Sequence, residues 1–228
     1  MKIHYFKNFP SFVLAGVVPD DVLANPPFEA QTLNQVHGTK IIKIDAYTEP
    51  QDGDAMSTYE IGVRLMIKTA DCIPLVFADT ENKIIYAVHA GWRGLVADII
   101  PITVNLMLKN GAEPSKIKVG IGPSICKKCA VFTDPKNEIP QKYHFAISGN
   151  LSSSDCARSG CPGNQCGPCN AGVLVDLRLI AKKQLSHAGI LEKNIEWMPI
   201  CTACDKNWFS WRRDKTQKRF GTFIELIR

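Results

Sequence analysis

Residues 61–94 read IGVRLMIKTADCIPLVFADTENKIIYAVHAGWRG. Residues 61–68 alternate well enough for a strand, which ends at Thr69-Ala70-Asp71. Residues 74–78 form a short apolar run, residues 79–83 have turn composition, and residues 84–88 form a second run suited to burial. This predicts two core strands with polar residues at their ends, delivering Asp71, Cys72 and His89 to one rim of a sheet. Gly91-Trp92-Arg93-Gly94 then opens a pattern in which Leu95, Ile99, Ile102 and Leu106 recur at helical spacing, with Gly111 as the stop. Pro101 sits inside it, so either the helix kinks there or its regular part begins near that proline.

Outward from this segment, residues 40–44 read as a strand behind Gln35-Val36-His37-Gly38. Residues 117–121 form another strand, closed by Gly122-Pro123. Residues 174–187 read as an amphipathic helix stopped at Gly189, and residues 195–200 and 220–227 as final strands. Residues 126–170 are rich in Ser, Gly, Pro and Cys and read as a long irregular insertion. Strands and helices mix without strict βαβ alternation. The expected fold is therefore α/β (α+β), a mixed-sheet single domain over residues 1–228 with a Cys-rich insertion at about 126–170.

Bulk properties bound the function. The 228 residues suffice for one large domain, and 45% hydrophobic with 21% charged residues is ordinary for a globular chain. The net charge of +5 is mild and suits an anionic small molecule at least as well as nucleic acid. No run approaches the ~18 apolar residues of a membrane span, and residues 1–10 lack a signal-peptide core, which predicts a cytoplasmic address. Nine cysteines in such a chain suggest thiolates that bind metal or do chemistry rather than a disulfide framework.

Two constellations carry chemistry. The first is His37, Cys72 and His89. A catalytic zinc on these residues needs neutral imidazoles and a thiolate as three ligands and an open fourth position, where the pKa of a water falls to about 7. Their spacing alone is no dense metal motif, and a single His or Cys at a strand end is usually structural. The second is Cys126-x-x-Cys129, Cys166-x-x-Cys169 and Cys201-x-x-Cys204, with Cys156 and Cys161 between them. Each CxxC is a half-site for zinc or an iron–sulfur cluster. Cys156, Cys161, Cys166 and Cys169 can form a four-cysteine knuckle and a possible second structural metal site. Alternatively Cys126 and Cys129 join Cys166 and Cys169, or the thiols are disulfide-bonded or free.

The motifs QVHG (35–38), Asp54-Ala55 with Ser57-Thr58, TADCIP (69–74), AVHAGWRG (87–94), GIGP (120–123), and Cys201-Thr202 leading to FSWRRD (209–214) and Arg219 resemble the YfiH-type laccase-domain family. Its members carry both a multicopper polyphenol oxidase label and a description as zinc-dependent purine nucleoside phosphorylases. The blocks span about five-sixths of the chain. The resemblance implies an α/β/β/α layered fold similar to the catalytic domain of cytotoxic necrotizing factor. It also implies zinc on His37, Cys72 and His89, and nucleoside and phosphate as small-molecule partners, while the modest charge and the lack of a long apolar run predict no nucleic acid and no membrane. Phosphorolysis is the implied activity, with adenosine deamination beside it.

In that reading His37, Cys72, His89 and Asp71 are the catalytic set, with Asp71 as candidate acid or base. Gln35, Arg93, Arg213 and Arg219 are candidate substrate or phosphate contacts. For Arg93 the competing reading is packing on Trp92, and for Arg213 a buried network with Asp214. The chain departs from the family pattern in lacking the T-R-x-G-G-x-S block, and in having Lys218 where the family's T-G-R element has Gly.

Three other functions stay open at this level. Cys72 with His89 as base would make a cysteine-dependent amidase acting on peptidoglycan precursors. Two His and one Cys also admit copper, as an adventitious occupant or in a phenol oxidase. The Cys-rich insertion would alternatively serve a non-catalytic interaction module.

Overall fold

A computed structural model describes residues 2–151 and 172–228, without the side chains of residues 150 and 151. In chain order the first half holds β1 (His4–Tyr5), β2 (Val13–Val18), β3 (Ile41–Lys43), β4 (Ala55–Thr58), β5 (Arg64–Thr69), β6 (Ile73–Asp79) and β7 (Ile84–Ala90). Two helices follow, α1 (Trp92–Val96) and α2 (Ile99–Lys109), then β8 (Ile117–Ile121), β9 (Val131–Phe132), α3 (Pro135–Glu138) and β10 (Ile147–Leu151). The described remainder is β11 (Gly172–Val175), α4 (Leu177–His187), β12 (Ile195–Trp197), α5 (Trp211–Asp214) and β13 (Phe220–Leu226).

The centre is the β6–β7 hairpin. Asp79 turns the chain by accepting the backbone N–H groups of Glu81 and Asn82 and the Asn82 side-chain amide, as an Asx residue does in tight turns. The antiparallel register pairs Pro74 with His89 and Ile73 with Ala90, so Cys72 and His89 emerge at the same end. Side chains alternate across the sheet with period two. Ile73, Leu75, Phe77, Tyr86 and Val88 face the helices α1, α2 and α4, while Val76, Ala78, Ile85 and Ala87 face a second sheet. Every residue of β6 is buried, which explains why it reads as an unbroken apolar run rather than an alternating one.

The six-stranded mixed sheet has the order β12-β8-β6-β7-β4-β3, with β12–β8 and β3–β4 parallel. Against it stacks a four-stranded antiparallel sheet, β1-β2-β13-β5. Leu65, Ile67, Phe220 and Ile224 fill the space between the two. The outer face of the smaller sheet holds Val18, Met66 and Phe223 under Val22 and Phe28, from a turn-rich segment. The mixed-sheet reading holds. The layers are helices, sheet and sheet, and the fourth layer is coil and turn among the described residues.

Differences from the sequence reading have local causes. Of the two readings of Pro101 the second holds, since the regular helix α2 begins at Ile99, but a separate short helix, α1, precedes it. Asp98 adopts φ 68° between them, and Pro101 falls in the first turn of α2, where its missing N–H costs no hydrogen bond. The helix expected from residue 174 starts at Leu177, because residues 172–175 pair with β9 and β10 in a three-stranded sheet. Asp176 then caps α4 by accepting the Leu179 N–H at 3.0 Å. Residues 126–151, expected to be irregular, carry β9, α3 and β10. Cys156, Cys161, Cys166 and Cys169 lie outside the described residues.

Gly94 tests the packing. Alanine ordinarily stabilises a helix interior by about 1 kcal/mol over glycine. Here a Cβ on Gly94 would stand 2.5 Å from the Gly38 carbonyl oxygen, a backbone atom that cannot rotate away. Gly94→Ala should therefore destabilise the fold by about 1–3 kcal/mol, read as a lower urea midpoint at unchanged slope. An unchanged or higher midpoint would contradict the close approach of α1 to the 35–38 loop.

Candidate metal centre

The site is assembled around a carboxylate. Asp54 lies directly before β4, and β4 pairs with β7 so that Ala55 is opposite Val88. This puts Asp54 beside His89, whose N–H donates to the Asp54 carbonyl at 2.7 Å. The Asp54 side chain has no exposure. Its carboxylate accepts His89 Nδ1 at 2.7 Å, the His37 N–H at 2.9 Å and the Gly38 N–H at 2.6 Å. Burial raises the Asp54 pKa, but the His89 hydrogen bond and the Gly38 and His37 amides outweigh it, so the group stays ionised below the usual carboxylate range.

With Nδ1 committed, His89 presents Nε2. His37 sits at φ 61°, a left-handed conformation that turns its ring toward the rim. The two rings meet edge-on, centroids 4.8 Å apart, and His37 Nε2 is 3.9 Å from Cys72 Sγ. One donor atom from each of His37, Cys72 and His89 lies within 4.8 Å of the others. His89 is buried and His37 exposed, so the group opens on one side. Gly91 makes this possible, since a Cβ there would stand 2.5 Å from His37 Cδ2 and 3.2 Å from His89 Cε1.

Without a cation, Cys72 and His89 form an ion pair. Burial disfavours the charged form of Cys72, but the His89 charge and the hydrogen bonds from His37 and His89 lower its pKa to about 6. Burial likewise opposes charge on His89, but Cys72 and Asp54 raise it to about 9.

The other predicted residues are placed as follows. Asp71 reaches the rim at φ 99°, with its oxygens accepting Thr202 Oγ1 at 2.7 Å and the Arg212 N–H at 2.6 Å. Gln35 makes a two-point clamp on the Lys68 backbone, at 2.8 and 2.9 Å. Arg93 is exposed, its guanidinium 4.4 Å from the centre of the Trp92 ring. Arg213 is spent internally. It donates to the carbonyls of Thr202, Ala203, Asp205 and Trp208 and pairs with Asp214. Arg219 gives Nη1 to the carbonyls of Thr216 and Lys218. The sequence shows Asp54 only as part of a motif. What marks it is a demand of the chemistry: a ligating imidazole needs an acceptor for its second nitrogen.

Two stacked sheets with two histidines and a cysteine clustered at one rim define a single-domain α/β protein whose rim carries a candidate metal-ligand set. Residues 20–228 match the model of the family described as multi-copper polyphenol oxidoreductase laccase, and the chain belongs to that family. It is 31% identical over 229 residues to a purine nucleoside phosphorylase of Streptomyces coelicolor, covering 93% of this chain and 87% of that one. It is also 31% identical over 176 residues to an adenosine deaminase, RL5, from an unknown prokaryotic organism, covering 76% and 62%. The crystal structure of YfiH from Bacillus licheniformis superposes with a TM-score of 0.73 at 22% identity, over 94% of this chain and 92% of that one. That likeness concerns the fold. No helix among the described residues is long and apolar enough to cross a membrane.

The ion pair makes a pH prediction. In metal-stripped protein the thiolate form of Cys72 is present above its lowered pKa and lost as pH falls through about 6, while the His89 charge is lost as pH rises through about 9. Carbamidomethylation of Cys72, followed by peptide mass spectrometry, should hold its rate from pH 8 down to about 7 and halve near 6. A rate that halves near pH 8.5, as for an ordinary thiol, would refute the pairing.

Proposed function

We propose that His37 Nε2, Cys72 Sγ and His89 Nε2 hold a zinc ion, and that the centre acts on purine nucleosides by phosphorolysis, with adenosine deamination as a second activity. The observation that carries the reading is the Asp54 carboxylate. It fixes His89 through Nδ1, the outer-sphere partner that a ligating imidazole takes, and it holds the His37 loop through two backbone amides. The donor set fits, with two imidazoles, one thiol and an open side. Zinc there supplies Lewis acidity for activating water or polarising a bound group at neutral pH.

The chain's own residues divide the remaining work. Arg93, stacked on Trp92 with its polar edge to solvent, is the natural phosphate contact. Arg219 keeps part of its guanidinium for the same purpose. Gln35 and Arg213 act through position, the first by holding β5 to the 35–38 loop and the second by shaping residues 202–208. Asp71 fastens that segment to the rim, and it takes part in proton transfer when substrate displaces one of its two donors.

One observation favours a second reading. A thiol held at about 6 beside an imidazolium is also an activated nucleophile, as an amidase needs. Metal content separates the two. Elemental analysis of natively purified protein should show Cys72→Ala with about one zinc fewer than wild type. Wild type should release base from inosine or adenosine only with phosphate, and ammonia from adenosine. Unchanged metal content in Cys72→Ala, with rapid native alkylation of Cys72, would leave the nucleophile reading standing alone.

Asp54→Asn keeps an acceptor for His89 but cannot accept both loop amides. Zinc affinity measured against a competing chelator should fall about 10- to 100-fold, with turnover at saturating zinc falling less. Affinity within twofold of wild type would remove Asp54 from the centre.

A further inference from the structure

A second cluster lies outside this centre. Cys126, Cys129, Cys201 and Cys204 bring four sulfurs within 4.8 Å of one another. The separations are 3.8 Å for Cys126–Cys129, 3.9 Å for Cys126–Cys204 and 3.4 Å for Cys129–Cys204. Disulfide sulfurs stand about 2.05 Å apart, so these are not bonded pairs. Four thiolates at about 2.3 Å around one tetrahedral ion stand about 3.8 Å from each other. A four-iron cluster places its cube between the thiolates and needs them much farther apart.

The backbone is shaped for the same purpose. The Cys126 carbonyl accepts the N–H groups of both Cys129 and Ala130 at 3.0 Å, and the Cys201 carbonyl accepts that of Asp205 at 2.9 Å, so each CxxC is a tight turn. The Cys126 N–H points at Cys201 Sγ, 3.3 Å away, a donor suited to a thiolate. The two turns are held together by groups other than the cysteines. Ser124 and Cys201 form a parallel bridge. Arg178 on α4 donates to Ser124 Oγ at 3.1 Å and to the carbonyls of Ser124 and Ile200 at 2.5 Å. Arg213 binds the carbonyls of Thr202 and Ala203 within the second turn.

We propose that Cys126, Cys129, Cys201 and Cys204 form a closed, mononuclear tetrathiolate zinc site that fastens the 201–214 segment to the rim of the centre at Cys72. The link is short. Thr202, between two of the ligands, donates to Asp71, the neighbour of Cys72. Arg212 donates its N–H to Asp71 and its guanidinium to the carbonyls of Cys129 and Val131. With four protein donors no position is open, so the role is structural.

The test uses the full chain, purified natively, with metal counted by elemental analysis and site symmetry read from cobalt substitution. Wild type should carry about one zinc more than Cys204→Ser, and Cys204→His, which restores a ligand, should recover it. Cobalt in Cys72→Ala should show the intense sulfur-to-metal bands of a tetrathiolate, and the double variant Cys72→Ala/Cys204→Ser should lose that tetrathiolate intensity. Serine at Cys156, Cys161, Cys166 and Cys169 together should leave this metal in place. Because Cys72→Ala removes the first ion and Cys204→Ser the second, either assignment can fail alone. Zinc content unchanged in both Cys204→Ser and Cys129→Ser, a disulfide among the four cysteines in unreduced protein, or loss of the metal from the fourfold serine variant would overturn the proposal.

Discussion

Asp54 is the constraint on which the centre rests. A carboxylate with no exposed surface is costly to bury unless its oxygens are satisfied. Here they are satisfied by one imidazole and two loop amides. These same bonds choose the His89 tautomer, fix the 37–38 backbone and leave His37 at a positive φ. The geometry then propagates through contacts too close for a Cβ. Gly91 lets both rings approach, and Gly94 lets α1 lie on the 38 carbonyl. The glycines of the GWRG block are spacing elements between a helix and a loop that come from different parts of the chain.

Much of this is legible in order along the sequence. The strands β5, β6 and β7, their turn at Asp79 and the convergence of Asp71, Cys72 and His89 follow from local patterning, because hydrophobic period and turn chemistry are local properties. What is not legible depends on pairing. β11 is a strand only because β9 and β10 lie beside it; its own sequence continues smoothly into α4. The grouping of Cys126 and Cys129 with Cys201 and Cys204 follows from the Ser124–Cys201 bridge, and no rule of spacing joins half-sites 75 residues apart. Residue type identifies candidates, and topology alone chooses among their combinations.

The arginines of the C-terminal block show the same limit. A cluster of Arg and Trp in sequence suggests an anion or a base to be bound. In the fold, Arg213 has four carbonyl partners and Asp214, and Arg212 spans to Cys129 and Val131. A guanidinium has five N–H donors in a fixed fork. Carbonyls of an irregular loop that no strand satisfies need donors, and the fork can supply several of them at once. Whether an arginine reads as a ligand contact or as scaffold depends on how many unpaired carbonyls surround it, which composition does not reveal.

As proposed, the two cysteine-containing centres differ in charge as well as in closure. A dication with one thiolate and two neutral imidazoles keeps one net positive charge beside an open side, so it attracts an anionic ligand or stabilises developing negative charge. The same dication with four thiolates carries two net negative charges and has no room for a ligand. Such a site needs cations and N–H donors around it, and the Cys126 amide, which donates to Cys201 Sγ, and the Arg212 guanidinium, which donates to the Cys129 carbonyl, lie beside it. The proposed division of labour therefore follows from donor count. In that division chemistry falls to the centre that is short of ligands and net positive, and the saturated, net negative centre holds the 201–214 segment against the other's rim.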